Sequence, residues 1–341
     1  MTTSLLYNNV KSFPKIGNLI GVDKLILDLP NDTISENKLK LRDRVLNISE
    51  DTGLINYSVG KLISNENIEV RTYQSHIRLT INPVIEVYGS NFHTITNEVL
   101  QKYLLDLQEK LEVNIFDAKI RRLDLQATLK MLYNPPSYFE VLGSHKHLIK
   151  NLLFKDSLYY NSKSKNKYKT LLFYDKSKKE EKSIPTEFNE GRYLRYEAQY
   201  YNKFLKRIAK KLSKNTLTLK DIFEKTTYDE LIKAWYNDYT EIYKEQKTMF
   251  NPHNINKPSD IDKLLASEGI KKIGSVEETS KMIATTLTLT GKTSSFISKV
   301  KNRIKNIASN NSSIIETPFL DELDNKITQT YNNSKNLIKT P

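Results

Sequence analysis

The chain has no cysteine, which removes disulfides and thiolate metal sites and fits a reducing cytosol. No apolar run approaches the roughly 20 residues needed to span a bilayer. Residues 1–17 lack the apolar stretch of a secretory signal. The expectation is a cytoplasmic protein with no membrane partner. There is no P-loop and no G-x-S-x-G, so neither an ATPase nor a serine hydrolase is indicated. Acidic residues are also short: 53 Lys and Arg face 40 Asp and Glu, a net charge of +13, and tyrosine is abundant at 20. A basic, aromatic-rich chain suits a polyanion that offers bases to stack on, namely nucleic acid.

Three short segments carry the chemistry. They are Arg122-Leu123-Asp124-Leu125-Gln126-Ala127-Thr128-Leu129, Thr170-Leu171-Leu172-Phe173-Tyr174-Asp175-Lys176, and Leu194-Arg195-Tyr196-Glu197-Ala198-Gln199. Side chains alternate across a strand, so Arg122, Asp124, Gln126 and Thr128 share one face. By the same parity Tyr174 stands beside Lys176, and Arg195 beside Glu197 and Gln199. If the three strands are neighbours, two carboxylates, a tyrosine and basic groups converge. Asp124 and Glu197 are hard oxygen ligands suited to Mg²⁺ or Mn²⁺. Tyr174 is the candidate nucleophile, and its phenol needs a nearby cation such as Lys176 or a metal ion. Taken singly, each Arg-x-acid pair is equally an ordinary same-face salt bridge.

Lysines 163, 165, 167 and 169 crowd the loop before Tyr174 and suit a backbone clamp on DNA, or plain solvation. His145-Lys146-His147 has the outline of a His-hydrophobe-His metal motif without its hydrophobe, and is set aside. Residues 89–93, between a strand and a helix, are expected to bring Asn91 or His93 near the metal.

Hydrophobic spacing divides the chain into a lead-in (1–20), a sheet domain (21–201), a helical extension (202–258), basic helices (259–306) and a flexible tail (307–341). Strands are expected near 24–30, 68–73, 77–81 and 83–88, a helix over 96–111, and another from 135 to about 149–153. Residues 157–160 and 168–176 form an expected hairpin. Strands come early and helices late, an α+β layout. In the last helix Phe296, Val300, Ile304 and Ile307 form an apolar stripe with Lys299 and Arg303 between, which fits a helix-turn-helix DNA reader or a solvated surface.

In order and spacing, these pieces resemble the filamentous-phage replication initiators of the gene II/gene X family, and behind them the Rep-trans plasmid initiators. The resemblance spans about residues 22–305. Val22-Asp23-Lys24-Leu25-Ile26-Leu27 is similar to the family's opening strand, and Val84-Ile85-Glu86-Val87 with Gly89-Ser90-Asn91-Phe92 to its strand and Gly-x-Asn segment. Arg122-Leu123-Asp124-Leu125 resembles its Arg-hydrophobe-Asp strand. Leu158-Tyr159-Tyr160-Asn161-Ser162-Lys163-Ser164 resembles a Leu-Tyr-x-Gly-Ser stretch, with Asn161 where the family has Gly. Leu171-Leu172-Phe173-Tyr174-Asp175-Lys176 with Glu180 resembles the segment that carries the nucleophile, and Leu194-Arg195-Tyr196-Glu197 the Arg-x-Glu strand after it.

The resemblance implies an antiparallel HUH-endonuclease-like sheet with flanking helices and a helical C-terminal region. It implies a metal-dependent endonuclease and strand transferase of rolling-circle replication, working in a bacterial host. Tyr174 and Lys176 would be catalytic, and Asp124, Glu197 and one further ligand (Gln126, Glu86 or His93) would hold Mg²⁺ or Mn²⁺. Arg122, Arg195, Lys163, Lys165, Lys167, Lys169, Lys299 and Arg303 would touch DNA. Single-stranded or supercoiled origin DNA, a host polymerase and a host helicase would be the partners. A second acid four residues after the Asp, common in plasmid relatives, is here Thr128. A non-catalytic origin-binding initiator and a mobilisation relaxase are the alternatives.

Overall fold

The computed structural model describes residues 19–30, 40–63, 65, 67–152, 156–164, 167–180, 184–250, 255, 257–308 and 314–336. It divides into one unit of residues 1–245 and 319–341 and a second of residues 246–318.

The first unit is built on an antiparallel sheet. Its elements run β1 (Gly21–Pro30), β2 (Leu41–Ile48), β3 (Ile55–Leu62), β4 (Glu69–Tyr73), β5 (His76–Ile81), α1 (Pro83–Tyr88), α2 (Asn97–Leu111) and β6 (Lys119–Met131). They continue with α3 (Pro135–Phe139), β7 (Leu142–His145), β8 (Ile149–Leu152), β9 (Ser157–Asn161), β10 (Lys169–Asp175), α4 (Lys176–Lys179) and β11 (Arg192–Tyr201). Then come α5 (Asn202–Lys211), α6 (Lys225–Thr240) and β12 (Ile242–Lys244). The second unit holds β13 (Thr248–Phe250), α7 (Pro258–Ile273), α8 (Val276–Leu289), α9 (Ser294–Ala308) and β14 (Ile314–Glu316). The chain then returns to the first unit as α10 (Phe319–Asn336).

Ten strands form the main sheet in the order β2-β3-β4-β5-β1-β6-β11-β10-β9-β8, and every pair is antiparallel. The expected α+β class holds, with helices flanking the sheet and a helical C-terminal region. The three motif strands are adjacent at its centre, as β6, β11 and β10. One face of these strands is apolar: Leu123, Leu125, Ala127, Phe173, Tyr196 and Ala198 are buried in one core with Leu205 of α5 and Trp235 of α6. Tyr196 stacks on Phe173 at 4.5 Å and donates its hydroxyl to the carbonyl of Trp235 at 3.0 Å. This anchors the sheet to α6 and leaves the opposite face to the polar residues. No helix among the described residues is long and apolar enough to cross a membrane.

Four local expectations are corrected. Residues 83–88 form a helix and not a strand: Pro83 opens the first turn, Gly89 closes it at φ 68°, and the buried Val84 and Val87 lie three residues apart. The β-branched residues misled because their burial follows the helical period. The helix expected from 135 to about 149–153 stops at Phe139 and gives way to β7 and β8. Here the partner decides, because β7 pairs with β12 and a Cβ on Gly143 would sit 2.9 Å from Glu245 Oε1. Within the tail expected to be flexible, α10 is a helix that buries Leu323 and Ile327 in the main core. The helical extension also contains β12 and β13.

Candidate active site

The register sets Glu197 opposite Gln126 on one side and Leu172 on the other, and Arg195 opposite Thr128 and Tyr174. The polar face is therefore a lattice of cross-strand neighbours. Tyr174 donates its hydroxyl to Glu197 Oε2 at 3.4 Å, and Gln199 Nε2 donates to Glu197 Oε1 at 2.8 Å. Arg195, with no exposed side-chain surface, donates to Thr128 Oγ1 at 3.0 Å, Asp23 Oδ1 at 3.2 Å, and both the side chain (3.0 Å) and carbonyl of Asn91. Asp124 takes two bonds from Arg122, at 2.7 and 2.6 Å.

Asp23 is the member that strand parity missed. β1 pairs with β6 as Val22 with Leu125 and then Lys24 with Asp124, so Asp23 is an extra residue in a bulge. The bulge turns its carboxylate onto Arg195, and its charge is felt by Asp124 and Glu197. The only sequence signal was an acid next to Lys24 at the start of the opening strand, beside the apolar Leu25–Leu27 run.

The segment between α1 and α2 covers this face. The Asn91 carbonyl and side chain accept from Arg195, and the His93 carbonyl accepts from Gln126 Nε2 at 3.1 Å. Phe92 packs with Phe188 and Tyr193. Gln126 also donates to Thr94 Oγ1 and accepts from Thr128 Oγ1, each at 3.3 Å. Asn91 thus lies at the site through Arg195, while the His93 ring faces Glu187 at 3.6 Å. Glu86 receives the side-chain amide of Asn65.

Burial governs the electrostatics. Asp124, 1% exposed, is pushed up to about 7, chiefly by desolvation and against the pull of Arg122. Glu197 is raised for the same reason, with Asp23 adding repulsion. Tyr174, 3% exposed, is held well above 10 by desolvation, with Arg195 pulling the other way. Lys176 is lowered to about 7 by desolvation and by Arg195. It begins α4, bonds Glu180 Oε1 at 3.0 Å and lies 5.5 Å from the Phe92 ring centre. The Lys179 ammonium lies 4.1 Å from the centre of the Tyr174 ring.

Two donor sets bear on a divalent metal. Asp124 and Glu197 are hard oxygen donors raised by burial, with Asp23 adding like charge, but among the described residues these three do not form a group whose ligand atoms all lie within 4.8 Å of one another. Gln126, expected as a third ligand, is engaged by three hydrogen bonds to the covering segment and Thr128, and Asp23 is tied to Arg195. His145, Asp238 and Glu241 form the other set, with one ligand atom from each within 4.8 Å of the others, and they could hold a metal ion. The Lys169 ammonium already stands there, bonded to Asp238 and 3.9 Å from Glu241. His145 Nδ1 accepts from the His147 N–H at 3.0 Å, which leaves the ring proton on Nε2. A metal-binding imidazole normally donates from its second nitrogen, so this set is poorly prepared.

Two residues leave the expected DNA-contact set because both are buried in ion pairs: Lys169 against Asp238 on the helix-covered side, and Arg195 under Asn91. Arg122 is tied to Asp124 but keeps 21% of its side chain exposed. Lys163 and Lys167 are exposed, as are Lys299 and Arg303 in the second unit, and Lys165 lies outside the described residues.

No family model matches the chain, and no curated protein matches it. Among solved structures it is similar to a rolling circle replication initiator protein from Geobacillus stearothermophilus. The identity is 14% over 70% of this chain and 89% of that one, with a TM-score of 0.35. At that score the likeness carries no weight for activity, and the site stands on its own geometry.

Proposed function

We propose that this chain is a replication initiator of the rolling-circle kind, cutting and rejoining one DNA strand at an origin through Tyr174. The observation that carries the reading is the hydrogen bond from Tyr174 to Glu197 at 3.4 Å, inside a face that gathers Asp23, Asp124 and Arg195. Tyr174 Oη would attack the scissile phosphorus, the P–O3′ bond would break, and the 5′ phosphate would stay on the tyrosine. The freed 3′-hydroxyl would prime a host polymerase behind a host helicase, and a second transfer would close the strand. Glu197 orients the hydroxyl, and Arg195 opposes the rise in the phenol's pKa. Lys179 supplies cationic charge near the ring, while Lys176 stands over the Phe92 ring. Asp124 and Glu197 are the oxygen donors that would face Mg²⁺ or Mn²⁺, whose charge would serve the phosphate and the phenolate. Lys163, Lys167 and, in the second unit, Lys299 and Arg303 are offered to the DNA backbone.

One observation favours a second reading, a DNA-binding initiator without cleavage: Tyr174 is almost wholly buried, and Arg122, Gln199 and Asn91 already occupy hydrogen bonds across the face. A single experiment separates the two. The full chain is incubated with Mn²⁺ and single-stranded or supercoiled DNA carrying the flanking origin, and a denaturing gel is read for a covalent adduct, with Tyr174→Phe alongside. An adduct lost in the variant and under EDTA supports cleavage. DNA retention without any adduct moves the assignment to the binding-only initiator.

A further inference from the structure

A second irregularity lies in the β1–β6 pair. Ile26 faces Arg122 but Leu27 faces Ile120, so Arg121 is an extra residue in β6. It lines the same cleft as Arg122, although regular alternation would send the two to opposite faces. The cleft has a volume of about 530 Å³ and is lined by Arg78, Arg121, Arg122, Lys167, Lys203 and Tyr201, over Ile26 and Asn202. Five of these side chains are cationic, and no carboxylate lines it.

Two carboxylates outside the lining offset part of that charge. Asp28 takes Arg78 at 2.7 Å and Arg121 at 2.9 Å, and Asp124 takes Arg122. Among the described residues Lys167 and Lys203 have no carboxylate partner. Five cations against two carboxylates leave the cleft positive, at the edge of a partly exposed face where a polyanion would find it. The Tyr201 ring organises two of the cations: Arg122 lies 5.2 Å and Lys167 5.9 Å from its centre. The Tyr201 hydroxyl is fixed in turn by Gln199 Oε1 at 2.9 Å.

The placement gives the cleft its meaning. Tyr201 lies opposite Arg122 in register and shares its strand face with Glu197, four residues away, or roughly 13 Å along the strand. Tyr174, opposite Arg195, is roughly 20 Å from Tyr201 by the same measure. A nucleic-acid strand that delivers one phosphate to Tyr174 and follows β11 therefore crosses the cleft.

We infer that this cleft is a phosphate-binding subsite for the single strand that leads to Tyr174, with Lys167 and Lys203 as its free cations. The inference rests on the proposed strand-cutting reading for its direction, but the cleft can be tested without it.

The test is binding of the full chain to labelled single-stranded and duplex oligonucleotides by fluorescence anisotropy over a range of salt. Lys167→Gln/Lys203→Gln should reduce the slope of log affinity against log salt on single strands by about 1.4, at roughly 0.7 per phosphate contact. Lys110→Gln/Lys225→Gln removes the same charge elsewhere on the first unit and should change the slope far less. Tyr201→Leu should weaken single-strand binding about five-fold or more, while Tyr201→Phe, which keeps the ring, should stay near wild type. Equal slopes for the two lysine pairs would overturn the subsite. A change confined to duplex would overturn its single-strand assignment. The Tyr174 adduct is measured in parallel: no adduct with the slope change intact sinks the cleavage reading alone, and an adduct with the slope unmoved sinks the subsite alone.

Discussion

Tyr174 and Glu197 meet hydroxyl to carboxylate at 3.4 Å, on neighbouring strands but not in directly opposed positions, since Tyr174 faces Arg195 and Glu197 faces Leu172. The contact is diagonal across the β10–β11 pair, and Arg195 is the residue directly opposite Tyr174. Both groups are nearly sealed from water, and this burial raises both, with Asp23 adding to the rise and Arg195 opposing it in each.

Glu197→Gln keeps the shape and removes the charge. Under the strand-cutting reading it should lower adduct formation by about 10²-fold or more while leaving DNA affinity within a few-fold, read on the adduct gel and by anisotropy. Loss of affinity in proportion to loss of adduct would instead mark Glu197 as part of the binding surface.

Arg195→Ala should be among the most damaging changes in the first unit. It strips the partner from Asp23, Thr128 and Asn91 and leaves Asp23, 12% exposed, uncompensated beside the buried Glu197, a loss of about 3–5 kcal/mol. Chemical denaturation would measure it, and a loss under 1 kcal/mol would contradict the hub described above. Arg195→Lys keeps charge but not the fork, and should recover only part of the stability.

Lys176→Met should stabilise the fold in a pH-dependent way. Burial lowers Lys176 to about 7 from an ordinary 10.5, so the unfolded chain binds more protons across that window and stability rises with pH. The methionine variant's advantage should be greatest below pH 7, on the order of a few kcal/mol, and fade towards pH 10.5. Melting curves of both proteins across that range test it, and a gain constant with pH would refute it.

Glu322→Ala should unfasten α10. Its carboxylate accepts from the Leu132 N–H at 2.9 Å and from the Tyr138 hydroxyl, joining the helix to β6 and α3. A loss of about 1–3 kcal/mol is expected, with faster proteolysis near residue 318. If stability does not move, α10 is held by its apolar face alone.

The sequence by itself determined the class of fold and most of the polar face. Strict alternation in residues 122–129 and 194–199 set one side for the core and the other for Asp124, Gln126, Arg195 and Glu197, because a strand's period of two leaves no choice once one face is buried. The order of these segments also placed Tyr174 among them. Tertiary structure decided what alternation cannot encode. The two bulges in the β1–β6 pair brought in Asp23 and Arg121, since an extra residue reverses the face that parity assigns. Lys169 was drawn to Asp238, which belongs to a helix 69 residues further on. Residues 142–145 became a strand because β12 offers them hydrogen bonds, and residues 319–336 became ordered because the core accepts Leu323 and Ile327. Each outcome depends on a partner distant in sequence, and such partners leave no local pattern to read.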